Sequence, residues 1–513
     1  MAGKFNDIVT EIYENHSGNI TKSKKIGDNL KEAWKLFEGK SFVKDFQGKD
    51  DNLANQLTAA IAKEMSEQNY EKARIYSLLE SQVISEPYSA DGESELDRIR
   101  EKMAEIDEQL VEREQENSDG ISVPRYELVG KLDELWEEQE SVDEVNKIKI
   151  CNSSESGGGR SVKATEDIAI GEIVVCQPSF TNCLVRTHYN GRCYNCLKVI
   201  RSPWPCSTCR YVSFCSAKCK DDSWKNSHKV ECEYSCGIVG CLGLNVLLKA
   251  ISENSVTWTD CTVFSESDTD LEAFMKFHGN PPSKESDFKQ GVLLSVATTI
   301  LLLQEKVISE EDKFEISKLL LDINYKISTN SYGARKMIDP KADDPNKAFE
   351  YFGKSLFPGM ISMINHSCHN NCVPILAETE QRGVVNYIIA TREILEGDEI
   401  TINYGNEVCG SDVAGRKAFL AEQYNFECVC KACLKGWPGK LPETSDNEKF
   451  ESYKDLAFEM FYAGAYEEAF MMAKSCLELI SWKGLESKDT FHFQEKFVYI
   501  MEIYFKFKQS GFQ

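Results

Sequence analysis

Long apolar runs are missing from this chain. The strongest candidate, residues 291–303, is too short to span a bilayer and is interrupted by Ser295, Thr298 and Thr299, so it reads as a buried helix. The N-terminus, MAGKFNDIVTEIYENHSG, lacks the apolar core of a secretory signal. The expectation is a protein of the cytoplasm and nucleus with no membrane partner. Positive charge is scarce as well. Lys and Arg total 59 against 83 Asp and Glu, a formal net charge of −24, and so acidic a surface is poorly suited to phosphate backbones. Direct binding of nucleic acid, as by a DNA-binding regulator, is therefore not expected. A lysine-rich protein segment suits the surface better, although the solubility of exposed helices accounts for much of the charge. A disulfide framework is excluded by the reducing compartment, which leaves the twenty cysteines as metal ligands and core residues.

What is present is enough for two to four domains: 513 residues at 42% hydrophobic content. Between Cys193 and Cys232 lie seven cysteines and one histidine in four short pairs. They are Cys193 and Cys196, Cys206 and Cys209, Cys215 and Cys219, and His228 and Cys232. Structural zinc takes four tetrahedral sulfur or nitrogen ligands, and each pair can grip one edge of such a tetrahedron. The order of the pairs suggests a cross-brace, with Cys193, Cys196, Cys215 and Cys219 on one ion and Cys206, Cys209, His228 and Cys232 on the other. No position is left for water, so these metals would hold a fold together. The ladder resembles the MYND zinc finger, and the resemblance implies proline-containing peptides as partners.

Helical periodicity runs from Phe5 to about Val145, with charged runs such as Glu93 to Gln115 that read as solvated helix faces. Gln68 to Ala73 resembles the turn into the second helix of a tetratricopeptide unit. A fuller version stands at Gly464 to Ala469, followed by Ala473, Cys476 and Leu479. Between these flanks the composition changes. Ser161 to Val185 and Asn386 to Tyr404 alternate apolar and polar side chains and are rich in Val, Ile and Thr, which predicts short strands broken at Gly171 and Gly397. The finger and a helical stretch from Cys236 to Asp322 separate them, as though one β domain had been opened by insertions. Residues 440–449 read as a linker.

A second constellation begins at Met363-Ile364-Asn365-His366-Ser367-Cys368 and continues through His369-Asn370-Asn371-Cys372. Small polar residues and a histidine beside an apolar run need partners if buried, so the segment should line a polar site. Gly397 to Gly405 and Tyr424 to Cys433 follow. Cys428, Cys430 and Cys433 are one ligand short of a zinc tetrahedron, and Cys368 is the natural fourth.

These blocks, with the opening stretch Gly157 to Ala164, resemble the SET domain of protein lysine methyltransferases, split here by a MYND finger. Tetratricopeptide-like flanks make the chain most similar to the SET and MYND domain-containing protein 4 subgroup. The implied architecture is an α+β multidomain chain. It has a helical region at 1–145, a first SET part at 150–190, the finger at 191–235, a helical insertion at 236–340, the SET core at 341–410, a post-SET zinc segment at 411–436 and a C-terminal helical region at 440–513. The resemblance implies S-adenosylmethionine and three zinc ions as cofactors and a protein substrate with an exposed lysine. It places Gly158, Gly159 and Arg160 at the amino-acid end of the methyl donor, and Asn365 and His366 at its methionine and adenine portions. Tyr404 falls beside the reacting methyl group as the catalytic residue, and Tyr424 and Phe426 around adenine or the lysine channel. The chain departs from the family at Gly158, where a polar residue is common, at Ser161 for the second glycine, and at His369-Asn370, where a proline is missing. The competing expectation is a catalytically silent adaptor whose finger and helices bind partner peptides.

Overall fold

The computed structural model describes most of residues 2–42, then 51–83, 90–116, 147–152, 160–253 and 268–436 apart from short internal gaps, and scattered positions between 452 and 475. Strands from the two ends of this span close on each other. Gly383–Ala390 is the centre of a three-stranded antiparallel sheet between Cys372–Thr379 and Ile173–Pro178. A second sheet sets Phe349–Leu356 between Thr181–Leu184 and Ser331–Met337. Each sheet thus joins a strand preceding the finger to strands that follow the helical insertion. The central strand is buried along almost its whole length, and its run of Val384, Val385, Ile388 and Ile389 provides the apolar burial that offsets closing so long a loop. Gly171 and Gly397 turn the chain at φ +81° and +88°, a region glycine enters without a Cβ penalty.

The helix Glu285–Gln304 contains the apolar run noted above. It is long and apolar enough to cross a membrane by length and composition alone, yet it lies largely within the fold. Its hydroxyls are satisfied internally: Ser295 donates to the Gly291 carbonyl at 2.8 Å, Thr299 to the Ser295 carbonyl at 2.7 Å, and Ser317 of the next helix, Lys313–Asn330, to Thr299 Oγ1 at 3.0 Å. This is a core helix. The insertion is not helical throughout the 236–340 span, because the chain leaves its last helix at Asn330 and enters the strand Ser331–Met337 directly. That strand owes its form to pairing with Phe349–Leu356 rather than to any β-branched pattern of its own.

The N-terminal region, read as one helical block, divides in its packing. Helices Phe5–His16 and Ile26–Leu36 join the main core through Ile8, Ile12, Leu30 and Ala33, and Trp34 donates to Ser317 Oγ at 3.2 Å. Two short strands, Ala2–Gly3 and Ser41–Phe42, pair in parallel beside them. Helices Asp51–Ser66 and Tyr70–Val83 instead form a hairpin about Gln68, whose φ is +58°, and Ala73 is fully buried in it. The charged helix Ala90–Glu116 is more than a solvated face. Leu96, Ile99 and Met103 are fully buried and share one apolar cluster with finger residues Ile200, Val212 and Phe214. Polar contacts reinforce that docking: Arg74 donates to the Ile200 carbonyl, Gln82 to Ser213 Oγ at 3.3 Å, and the Arg100 guanidinium lies 4.4 Å from the Trp204 ring centroid.

Most of the second tetratricopeptide-like pattern, the linker 440–449, and Gly158 and Gly159 lie outside the described residues.

Candidate metal and methyl-transfer centre

The twelve predicted metal ligands assemble as three tetrads. Their ligand atoms lie within 4.8 Å of one another in each set: Cys193, Cys196, Cys215 and Cys219; Cys206, Cys209, His228 and Cys232; and Cys368, Cys428, Cys430 and Cys433. The pairing within the finger is the expected cross-brace. A tetrahedron with Zn–S near 2.3 Å places its sulfurs about 3.8 Å apart, whereas a disulfide requires about 2.05 Å. The separations are 3.5 Å for Cys196 to Cys215, 3.8 Å for Cys206 to Cys232, 3.8 Å for Cys368 to Cys428 and 3.6 Å for Cys368 to Cys433. Donor set and spacing both fit zinc.

Local structure explains how the ligands are aimed. Two-residue strands Trp204–Pro205 and Ser213–Phe214 bring the second and third pairs together. Ser216 caps the helix Ala217–Ser223 by accepting the Cys219 N–H at 3.1 Å, which fixes that ligand's backbone. His228 ends a π-helical turn, Trp224–His228, and is buried among Tyr194, Phe214 and Trp224. For the third tetrad, the helix Val413–Tyr424 ends at Asn425 in the left-handed region, φ +59°, and this turn sends Phe426 and the three cysteines back toward Cys368.

The third tetrad shares its core with the aromatic residues of the second constellation. Cys368, Leu420, Cys428 and Cys433 pack with Tyr404, Tyr424 and Phe426. Asn365 and His366 form a two-residue strand parallel to Thr401–Ile402, which places them beside Tyr404. Ring centroids lie 5.4 Å apart for His366 and Tyr404, 4.9 Å for Tyr404 and Tyr424, 6.0 Å for His366 and Phe426, and 6.4 Å for Tyr404 and Phe426. His366 Nδ1 accepts the Tyr404 backbone N–H at 3.1 Å, and Nε2 faces Cys368 Sγ at 3.3 Å. A neutral ring that accepts at Nδ1 carries its proton on Nε2. Burial holds His366 neutral, with a pKa down at about 4.

The Tyr404 hydroxyl donates to the Ile364 carbonyl at 2.8 Å, and the Tyr424 hydroxyl donates to the Tyr404 carbonyl at 2.7 Å. Burial raises the Tyr404 pKa well above that of a free phenol and lifts Tyr424 to about 12. Both are neutral near pH 7, so they act as hydrogen-bonding groups rather than bases. Tyr424 is thus tied by its hydroxyl to the backbone of Tyr404. Arg160 opens the strand Arg160–Ala164, and its carbonyl accepts from Asn365 Nδ2 at 2.7 Å.

Three residues escaped the sequence reading. Tyr332, on Ser331–Met337, has its ionisation disfavoured by burial and by Tyr404 and Tyr424 nearby. Nothing in its local sequence marks it. Asn371 and Glu399 stand inside recognised blocks, yet their partners are visible only in three dimensions. Asn371 Oδ1 accepts the Thr401 N–H at 2.8 Å, and its Nδ2 donates to the Glu399 carbonyl at 2.9 Å.

Comparison with known proteins fits this arrangement. The SET domain pattern matches residues 159–405. The N-lysine methyltransferase SMYD2-A of Xenopus laevis is 26% identical over 325 residues, 62% of this chain and 68% of its own length. The histone-lysine N-methyltransferase SMYD3 of Mus musculus is 26% identical over 294 residues, 56% of this chain and 61% of its own. The histone-lysine N-methyltransferase ASHR1 of Arabidopsis thaliana is 27% identical over 332 residues, 63% of each chain. The chain therefore spans about two thirds of the length of these relatives. A crystal structure of the SET domain of LSMT bound to lysine and AdoHcy overlaps 59% of this chain and 58% of its own at 14% identity and a TM-score of 0.29, an overlap too loose to carry an argument. The matched SET domain, the zinc-type tetrads and these relatives together make the chain similar to SET-domain lysine methyltransferases over 56–63% of its length.

Proposed function

We propose that the chain is an S-adenosylmethionine-dependent protein lysine N-methyltransferase acting on an exposed lysine of a protein substrate, histone or non-histone. The observation that carries this reading is the convergence of Asn365, His366 and Tyr404, within the matched domain, with Tyr424 and Phe426 just beyond it, on one aromatic-walled centre. When bound, S-adenosylmethionine supplies a methyl group already activated on its sulfonium. Gly158, Gly159 and Arg160 approach its amino-acid end, Asn365 and His366 hold its methionine and adenine portions, and Phe426 and Tyr424 enclose adenine or line the lysine channel. Tyr404 remains protonated and orients the lysine amine for in-line attack, and this alignment supplies most of the acceleration. Aromatic walls exclude water, which favours the neutral amine, and they hold a methylated ammonium by cation–π attraction.

The three tetrads hold three zinc ions. In this reading 191–235 is a MYND finger inserted between SET parts at 150–190 and 341–410, followed by a post-SET segment at 411–436. The helical regions at 1–145 and 440–513 are tetratricopeptide-like flanks of the protein 4 subgroup. Proline-containing peptides bind the finger, the protein works in cytoplasm and nucleus, and it engages neither nucleic acid nor membrane directly. A radiolabelled-methyl assay on cell extract tests the activity. Incorporation by wild type that is lost in Tyr404→Phe supports it, whereas none by either protein transfers the reading to the silent adaptor.

A further inference from the structure

The side-chain amide of Asn365 is held on its nitrogen side by two groups that can only accept. Nδ2 donates to the Arg160 carbonyl at 2.7 Å and to Glu399 Oε1 at 2.9 Å. Neither a peptide carbonyl nor an ionised carboxylate has a proton to give, so turning the amide over would set Oδ1 against two oxygens. The orientation is therefore chemically fixed. With both Nδ2 protons committed, what Asn365 has left to offer a ligand is an acceptor, Oδ1.

Glu399 is itself held in place. Its carbonyl accepts from Asn371 Nδ2 at 2.9 Å, and its backbone forms a β-bridge with Lys163. Its side chain reaches back toward Asn365 from the exposed side, and its charge contributes to the raised pKa of Tyr404. A carboxylate fixed by its backbone at the rim of the centre, bonded to the nitrogen side of the Asn365 amide, has a role that exposure alone does not suggest.

We infer that Glu399 is a positioning residue for the methyl donor, holding Asn365 so that Oδ1 accepts a hydrogen bond from the ammonium group of the donor's methionine portion. This rests on the S-adenosylmethionine reading of the site. The Arg160 carbonyl alone engages one Nδ2 proton and leaves the amide free to swing, whereas the second acceptor closes that freedom.

The test is calorimetric binding to the full zinc-loaded chain of S-adenosylhomocysteine and of its analogue lacking the amino group. Glu399→Ala should weaken S-adenosylhomocysteine about tenfold, the scale of one charge-assisted hydrogen bond impaired, while binding the desamino analogue as wild type does. Glu399→Gln, whose Oε1 still accepts, should stay within about threefold of wild type for both ligands. The ligand-free unfolding temperature should not change, since the carboxylate is exposed. Undiminished S-adenosylhomocysteine binding by Glu399→Ala overturns the inference, as does an equal loss for both ligands. Glu399→Gln as impaired as Glu399→Ala also overturns it, because the charge would then be acting directly. A wild type that binds neither ligand overturns the donor site itself, and the inference with it.

Discussion

The finger and the segment after Tyr424 use the same chemistry, tetrads of cysteine and histidine with zinc geometry, and put it to different ends. The finger's two tetrads share an apolar cluster with Leu96, Ile99 and Met103 from the N-terminal helices. The third tetrad sits against Tyr404, Tyr424 and Phe426, and one of its ligands, Cys368, faces the imidazole of His366. A metal buried among packing residues can only hold a shape. A metal whose ligand touches a residue of the pocket also decides where that residue points.

Four substitutions separate the two kinds of tetrad by what each does to metal content, donor binding, methyl transfer or amide exchange. The largest effect is expected at the hydroxyl proposed to orient the amine: Tyr404→Phe should reduce methyl transfer roughly 10- to 1000-fold while the ring keeps most donor binding, read from single-turnover assays beside calorimetry. Equal rates in the two proteins would remove Tyr404 from the mechanism. Next comes the zinc that borders the pocket. Cys433→Ser should lower zinc content from three ions to two and weaken donor binding about 10- to 100-fold, the scale seen when support around a metal site is lost. Unaltered affinity in that variant would show that the tetrad only closes the tail. The matching change in the finger, Cys196→Ser, should also cost one zinc by elemental analysis yet leave donor affinity within about twofold. A comparable loss of affinity would mean that the two regions are coupled through the core and that the contrast fails.

The smallest effect lies on the finger's outer face. Arg100→Ala removes the cation from the Trp204 ring and a bond to the Pro203 carbonyl at 3.3 Å. It should loosen the helix Ala90–Glu116 by about 0.5–1 kcal/mol, visible as faster amide exchange in that helix with transfer rates unchanged. Exchange confined to the finger would place the contact's contribution elsewhere.

How far the sequence could be read depended on what each feature needed. Ligand spacing was enough for the metal sites, because a Cys-x2-Cys pair can grip one edge of a tetrahedron wherever it lies, and four pairs in order leave few ways to share two ions. The turns at Gly171 and Gly397 were legible because positive φ selects glycine. The helix Glu285–Gln304 was legible as buried because its hydroxyls interrupt the apolar run at positions where a preceding carbonyl can accept them. Ser331–Met337 was not legible, since its residues carry no alternation and the strand exists through its register with Phe349–Leu356. Tyr332 was missed with it.

The helix Ala90–Glu116 shows the same limit from another side. Its charge pattern was read as solvent-facing, and much of it is, but the stripe of Leu96, Ile99 and Met103 finds its partner about a hundred residues away on the finger. Periodicity reports that a face is apolar and is silent on what covers it. Local chemistry, then, was determined by the sequence itself: which side chains can ligate zinc, where glycine must turn the chain, and which block holds Asn365, His366 and Tyr404. Tertiary structure alone decided that the N-terminal helices divide between two cores, that Tyr332 approaches Tyr404 and Tyr424, and that Glu399 meets Asn365. Those are meetings between segments far apart in the chain, set by burial and register over the whole fold, and no local pattern encodes a partner.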